Sequence, residues 1–138
     1  MGLFGKPKEE EVAVATAKPR ILLCEDDPFF SQALTLILTT SGYDLIVAAD
    51  GQIGINTLAQ DQKFKLILCD IKMPNLDGFG VLKYVKGTPE TASIPLIFLT
   101  GVSDMESMDR ATELGAKDYF IKANTGLPKI VDLVKKYI

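Results

Sequence analysis

The sequence predicts an α/β domain, a parallel sheet of five strands covered on both faces by helices. Three observations carry this. Five short apolar runs without polar alternation punctuate the chain, the pattern of strands buried on both sides. The segments between them carry apolar residues at helical spacing. The two kinds alternate strictly, which implies right-handed crossovers between parallel strands.

Each element has its own justification. Residues 1–18 (MGLFGKPKEEEVAVATAK) mix Gly, Pro and a charge run, so they read as a mobile tail ahead of one domain over 19–138. The first strand is expected at 20–24 (RILLC) and the first helix at 28–41, where Phe29, Phe30, Ala33, Leu34, Ile37 and Leu38 give a broad apolar face. Asp27 before Pro28 has the form of a helix N-cap followed by proline in the first turn. Later strands fall at 44–48 (DLIVA), 65–69 (KLILC), 94–99 (IPLIFL) and 117–121 (KDYFI). Helical patterns follow them at about 51–60, 78–86, 103–115 and 127–137. In the last, Leu127, Ile130, Val131, Val134 and Ile138 recur at helical spacing, and Pro128 suits the opening turn. No solenoid repeat or second domain is legible.

Composition narrows the classes of function. At 138 residues and 47% hydrophobic, the chain is long enough for one real core. It has no apolar stretch of membrane-spanning length and no signal-peptide pattern, so a cytoplasmic protein without membrane insertion is expected. Gly2 resembles a myristoylation start, but Lys6 stands where Ser or Thr is required. A net charge of −3 argues against binding nucleic acid through phosphate contacts. The absence of His excludes imidazole catalysis and His-based metal sites. Cys24 and Cys69 end apolar runs without metal-site spacing, and read as buried thiols in a reducing compartment.

Ligands of an open α/β sheet gather outside the carboxyl ends of its strands. Here the first strand ends in Glu25-Asp26-Asp27, the third in Asp70, the fourth in Thr100 and the fifth in Lys122. The second ends less tellingly in Ala48-Ala49-Asp50. If the strands are adjacent, acids, a hydroxyl and an ammonium meet on one rim. Clustered carboxylates raise one another's pKa unless a cation intervenes. Oxygen ligands without His or thiolate suit Mg²⁺, which commonly meets a phosphate, and one acid could itself receive the phosphoryl group. Thr100 could donate to a phosphoryl oxygen and Lys122 neutralise another, a set sufficient for phosphoryl transfer to Asp. Each residue alone has a plainer reading: Asp27 as a cap, Asp70 as a loop acid, Thr100 as a strand-end hydroxyl, Lys122 as a solvated lysine. Their joint placement after four strands favours the site.

These residues also match a family. From about 19 to 138 the chain resembles the receiver domain of two-component response regulators. The matching stretches are "ILLCEDDP", "LILCDIKMPNLDGFGVLK", "PLIFLTG" and "GAKDYFIK", with Asp70, Met73, Pro74, Asp77 and Gly78 in the most specific of them. The resemblance implies a flavodoxin-like (βα)5 doubly wound sandwich with strand order 2-1-3-4-5. It implies that Asp70 is the phosphoacceptor, with Thr100 and Lys122 contacting the phosphoryl group and Tyr119 as the switch aromatic. It implies Mg²⁺ bound by Asp26 and Asp70, by Glu25 through water and by the backbone carbonyl of Lys72. Lys72 stands where the family varies and tunes dephosphorylation. The sequence departs from the family in Lys122-Ala123, where proline usually follows the lysine. Asn124-Thr125-Gly126 are turn-forming residues, so a trans bond is expected, with the loop to the fifth helix rerouted through Gly126 and the lysine still pointing at Asp70.

The implied function is a phosphorylation-dependent switch in two-component signalling rather than an enzyme acting on a separate substrate. Phosphorylation replaces one carboxylate charge with roughly −1.5 to −2. Thr100 would move toward the new oxygens, Tyr119 would enter the vacated space, and two existing conformations would be re-weighted. The implied donor is a sensor histidine kinase or His phosphotransfer protein docking on the first helix. The implied output is a downstream protein contacting the fourth helix, fifth strand and fifth helix, including Met105, Met108, Arg110 and Tyr119. With no output domain visible, a single-domain regulator or phosphorelay intermediate is expected. A receiver-like scaffold that is never phosphorylated is the alternative. A haloacid-dehalogenase phosphohydrolase would want a second acid where Lys72 stands, and a flavodoxin would meet repelling acids after its first strand.

Overall fold

The apolar runs become strands that line up their carboxyl ends. The computed structural model describes residues 17–138, so the expected tail at 1–18 lies outside the described residues except for Ala17 and Lys18. Five strands, β1 (Arg20–Cys24), β2 (Asp44–Ala48), β3 (Leu66–Cys69), β4 (Leu96–Thr100) and β5 (Asp118–Ile121), form one sheet. All pairings are parallel, in the order β2-β1-β3-β4-β5. Register places Cys24 level with Ala48 and Cys69, Cys69 with Phe98, and Thr100 with Ile121. The residues that follow these positions share one rim.

Five helices cover the sheet: α1 (Pro28–Thr40), α2 (Gly51–Gln60), α3 (Gly78–Gly87), α4 (Met105–Leu114) and α5 (Leu127–Tyr137). Alternate strand residues feed two core layers. Leu22, Cys24, Ile67, Cys69, Leu96 and Phe98 pack with Leu58, Val81, Leu82, Val85 and Ala111 of α2, α3 and α4. Ile21, Leu23, Leu66, Leu68, Ile97 and Leu99 pack with Leu34, Leu38, Ile130 and Val134 of α1 and α5. Each fully buried side chain of this size contributes about 1.5–3 kcal/mol relative to exposure. That sheet is the rigid platform under the rim.

Aspartates open four of the helices. Asp27, Asp50, Asp77 and Asp104 accept from the amides of Phe29, Ile53, Gly80 and Ser107 respectively. Such a cap is worth about 1 kcal/mol. Helix α5 instead starts at Gly126 without a side-chain cap, with Pro128 in its first turn. Among the described residues, no helix is long and apolar enough to cross a membrane.

Several expectations are corrected. Strand β4 runs Leu96–Thr100 rather than 94–99, since Pro95 has no N–H for the ladder, and Thr100 becomes its buried last residue. Helix α4 is shorter than 103–115 because Asp104 caps it and Gly115 ends it in a left-handed conformation at φ 99. On α1, Phe29 is 83% exposed while Ser31 is buried, so the helix turns a narrower face to the core than its apolar run suggests. Ile138 is likewise exposed. The Lys122–Ala123 bond is trans, as expected. The loop is rerouted by a 3-10 turn at Lys122–Asn124, closed by Thr125 donating through its amide to Lys122 O and through Oγ1 to Ile121 O. Gly126 sits at φ −69, so a glycine-specific conformation is not what turns the chain.

Candidate functional site

The rim is built by backbone continuity. Asp70 N donates to Cys24 O and Glu25 N to Ala48 O, both at 2.9 Å, extending the strand ladders by one step. Glu25 and Asp70 are therefore held as firmly as the strands themselves. Asp70 Oδ1 accepts from Ile71 N at 2.7 Å, and its Oδ2 accepts from Lys122 Nζ at 3.0 Å. The same ammonium lies 2.7 Å from Glu25 Oε1, and Glu25 Oε2 accepts from Asp27 N at 3.1 Å. Lys122 also lies over the Phe30 ring, 4.4 Å from its centroid. Two strand-end acids thus share one lysine.

Asp26 completes the cluster. One carboxylate oxygen from each of Glu25, Asp26 and Asp70 lies within 4.8 Å of the others, with Asp26 exposed and the other two buried. Burial and the nearby Asp70 charge push the Glu25 carboxyl up, against the opposing pull of Lys122 and the Asp27 amide. Burial drags Lys122 down, but its bonds to Glu25 and Asp70 outweigh this and leave it raised, hence charged at neutral pH. Three acids facing one ammonium leave a surplus of negative charge. An all-oxygen donor set of this span suits a hard divalent ion such as Mg²⁺, whose opposite ligands stand about 4.2 Å apart when each bond is about 2.1 Å.

The remaining predicted residues fall around the same opening. Thr100 is fully buried, and its Oγ1 accepts from Val102 N at 3.2 Å. Lys72 is exposed at the cleft wall, and its charge joins the stronger bonds from Ser107 in holding Asp104 low. A cleft of about 1130 Å³ opens over Asp26, Asp70, Lys72, Thr100 and Lys122, with Glu25 packed beneath it. Tyr119 is half-buried, donates to Val102 O at 2.7 Å, and packs edge-on against Phe98 at 5.9 Å. Burial, then the Asp104 and Asp70 charges, push its phenol up. Of the expected output face, Met105 is 71% exposed and Met108 partly buried. The thiol of Cys69 is held well above its ordinary value by burial, consistent with an inert core cysteine.

Some contacts were not foreseen. Phe98 packs edge-on with Phe79 at 5.6 Å, and the Arg110 guanidinium lies over the Phe79 ring, 4.2 Å from its centroid. Arg110 therefore belongs to the cleft wall, not only to the exposed side of α4. Asn75 donates to Asp50 Oδ2 at 2.7 Å, joining the loop after Asp70 to the end of β2. Asp50 stood out in the sequence only as the less telling end of the second strand, and nothing there linked it to Asn75.

Comparison with known proteins agrees with this fold. The family described as "Response regulator receiver domain" matches residues 21–135. The DNA-binding dual master transcriptional regulator RpaA of Synechocystis is 36% identical over 104 residues, covering 75% of this chain and 43% of that protein. The chain spans less than half the length of the first curated relatives it matches. Among solved structures, the signal receiver domain of a histidine kinase from Syntrophus aciditrophicus is 31% identical, with a TM-score of 0.79 over 86% of this chain and 89% of that one. The receiver domain of sensor histidine kinase PA1611 from Pseudomonas aeruginosa, solved with a magnesium ion in its active-site cleft, shares the fold at 23% identity, with a TM-score of 0.79 over 88% of this chain and 98% of that one.

Proposed function

The chain belongs to the response regulator receiver domain family, and on that premise we propose that Asp70 is its phosphoacceptor, loaded by a His-phosphorylated protein. Its function is that of a phosphorelay signalling switch. The observation that carries the assignment is the Lys122 ammonium bridging Glu25 and Asp70 while Asp26 stands within 4.8 Å of both acids. A scaffold that is never phosphorylated has no use for so costly a cluster.

In the proposed reaction an Asp70 carboxylate oxygen attacks phosphorus in line. The new P–O bond forms as the P–N bond to the donor imidazole breaks, and its electron pair leaves with the nitrogen. Lys122 holds the carboxylate in place and offsets charge on the phosphoryl oxygens. Thr100 offers its hydroxyl proton to one of those oxygens, which draws it from Val102 and loosens the contact region around Tyr119. Asp26 and Asp70, with Glu25 through water and the Lys72 carbonyl, would hold Mg²⁺, which would supply neutralisation of the transferred charge.

The donor, a sensor histidine kinase or His phosphotransfer protein, docks on α1, where Phe29 and Leu36 are exposed. The output partner, a protein rather than nucleic acid, reads α4, β5 and α5, where Met105 is exposed. We place this exchange in the cytoplasm. The test is intact mass after incubation with acetyl phosphate and Mg²⁺. The parent chain gains one phosphate and Asp70→Asn gains none; equal labelling of the two overturns the assignment.

A further inference from the structure

Among the described residues one non-glycine residue has positive φ, Asn75 at φ 69. It lies in the loop between Asp70 and α3, and asparagine is one of the few residues that tolerates the left-handed region. Its side-chain amide nitrogen is engaged on a neighbour. Nδ2 donates at 2.7 Å to Oδ2 of Asp50, whose Oδ1 accepts from Ile53 N at 2.8 Å. Asp50 is buried, so its carboxylate is fixed at both oxygens. The outer half of the loop therefore hangs on the N-terminus of α2. Gly51 permits the close approach: a Cβ there would stand 2.1 Å from Leu76 O.

The inner half of the same loop sets the reactive carboxylate. Ile71 N holds Asp70 Oδ1 at 2.7 Å, and Ile71 O accepts from Gly78 N at 2.8 Å. A Cβ on Gly78 would stand 2.3 Å from Asp70 O, so loop and α3 meet without slack. The loop is thus tied at the phosphoacceptor on one side and at Asp50 on the other. Only seven residues, Ile71 to Asp77, separate Asp70 from Gly78, so a shift at Asn75 is passed to Ile71 and to the Lys72 main chain. Asp50 is not among the residues lining the cleft, so it acts at a distance.

We propose that Asp50 and Asn75 are positioning residues, a hydrogen-bonded clamp that holds the loop after Asp70 in the form that binds the divalent cation and presents the carboxylate. This rests on the reading of Asp70 as a Mg²⁺-dependent phosphoacceptor. Breaking the clamp loosens the metal site while leaving the sheet and both cores in place.

Three variants test it. Asn75→Gly keeps the left-handed backbone and removes the amide. Asn75→Asp sets a carboxylate against Asp50. The double exchange Asp50→Asn/Asn75→Asp restores one amide facing one carboxylate with the direction reversed, and still leaves an oxygen to cap Ile53. Mg²⁺ affinity is read from NMR shifts of the Asp26 and Asp70 amides, with urea unfolding as the control on folding. Asn75→Gly should weaken Mg²⁺ binding about tenfold, the low end of what loss of an outer-sphere partner costs a metal site. Asn75→Asp should weaken it further, and the double exchange should return it to within about threefold of the parent, under a tenfold step of 1.4 kcal/mol. Unchanged affinity in folded Asn75→Gly, or a double exchange no tighter than Asn75→Asp alone, overturns the clamp. Failure of the parent to gain phosphate at saturating Mg²⁺ would instead overturn the phosphoacceptor reading and leave this affinity comparison intact.

Discussion

Replacing Lys122 with alanine removes the cation between Glu25 and Asp70, and its cost can be worked from the contact distances. At 2.7 and 3.0 Å the two attractions amount to about 6 and about 5.5 kcal/mol gross at an effective dielectric of 20. Much of this is returned by no longer desolvating the ammonium, and removing one partner of a buried pair costs about 3–5 kcal/mol net. The Lys122 side chain is 22% exposed, so water can enter the space it leaves, and about 2–3 kcal/mol is the reasonable expectation. The loss should depend on pH. Burial already raises Glu25 above its unfolded value near 4.5, and losing Lys122 removes what opposes that rise. A carboxyl raised on folding binds more protons in the folded state, so the stability of the variant falls as pH climbs from about 4.5 through the raised value. Urea unfolding in EDTA at pH 7.5 should show the midpoint of Lys122→Ala about 0.7–3 M below the parent, given slopes of about 1–3 kcal/mol per molar. The gap should shrink at pH 5. An equal gap at both pH values would mean that Lys122 does not neutralise Glu25, and no gap at pH 7.5 would remove it from the cluster altogether.

Other perturbations separate the platform from its surface. Gly78→Ala should cost at least about 1–3 kcal/mol in urea unfolding and slow phosphate uptake, since the new methyl would meet Asp70 O at 2.3 Å. Phe29→Ser should leave stability within about 0.5 kcal/mol, because the ring is 83% exposed, yet slow phosphotransfer from a His-phosphorylated donor. Leu34→Ala on the same helix, fully buried, should cost about 2–5 kcal/mol.

The order of strands and helices was legible because β1, β3 and β4 are buried on both faces and show unbroken apolar runs, a pattern with few alternative readings. The site acids were legible for a related reason. Polar residues directly after such runs sit on the strand-end rim, so Glu25, Asp26, Asp70 and Lys122 could be assigned to that rim from position, while the adjacency of their strands came from the family resemblance. Thr100 was found as a strand end, although its burial came from a boundary the sequence set one residue short. What remained hidden depends on orientation rather than pattern. Phe29 and Leu34 are equally apolar in sequence, and only the angle at which α1 meets the sheet exposes one and buries the other. Arg110 was expected on the output face, and only the structure shows its guanidinium over Phe79 in the cleft wall. Asn75 and Asp50 are 25 positions apart, and no local rule pairs them.

The topology also explains why so much negative charge gathers at one end. In a parallel βα fold every helix begins where a strand ends, so the positive ends of the helix dipoles point at the same rim as the site. Asp27, Asp50, Asp77 and Asp104 each occupy such a start and take up the free amides there. The caps thereby spend on the helices the positive potential that could have offset Glu25, Asp26 and Asp70. At the centre of the cluster Lys122 makes the direct ion pairs, reaching Glu25 and Asp70. Asp26 has no such partner among the described residues, and it is the exposed member, open to the cleft. A divalent cation meets that imbalance directly, because it adds two charges where the lysine supplies one. The acids that weaken the folded state in its absence are the ones that would bind it. The rim is therefore an arrangement whose local cost a bound cation would offset.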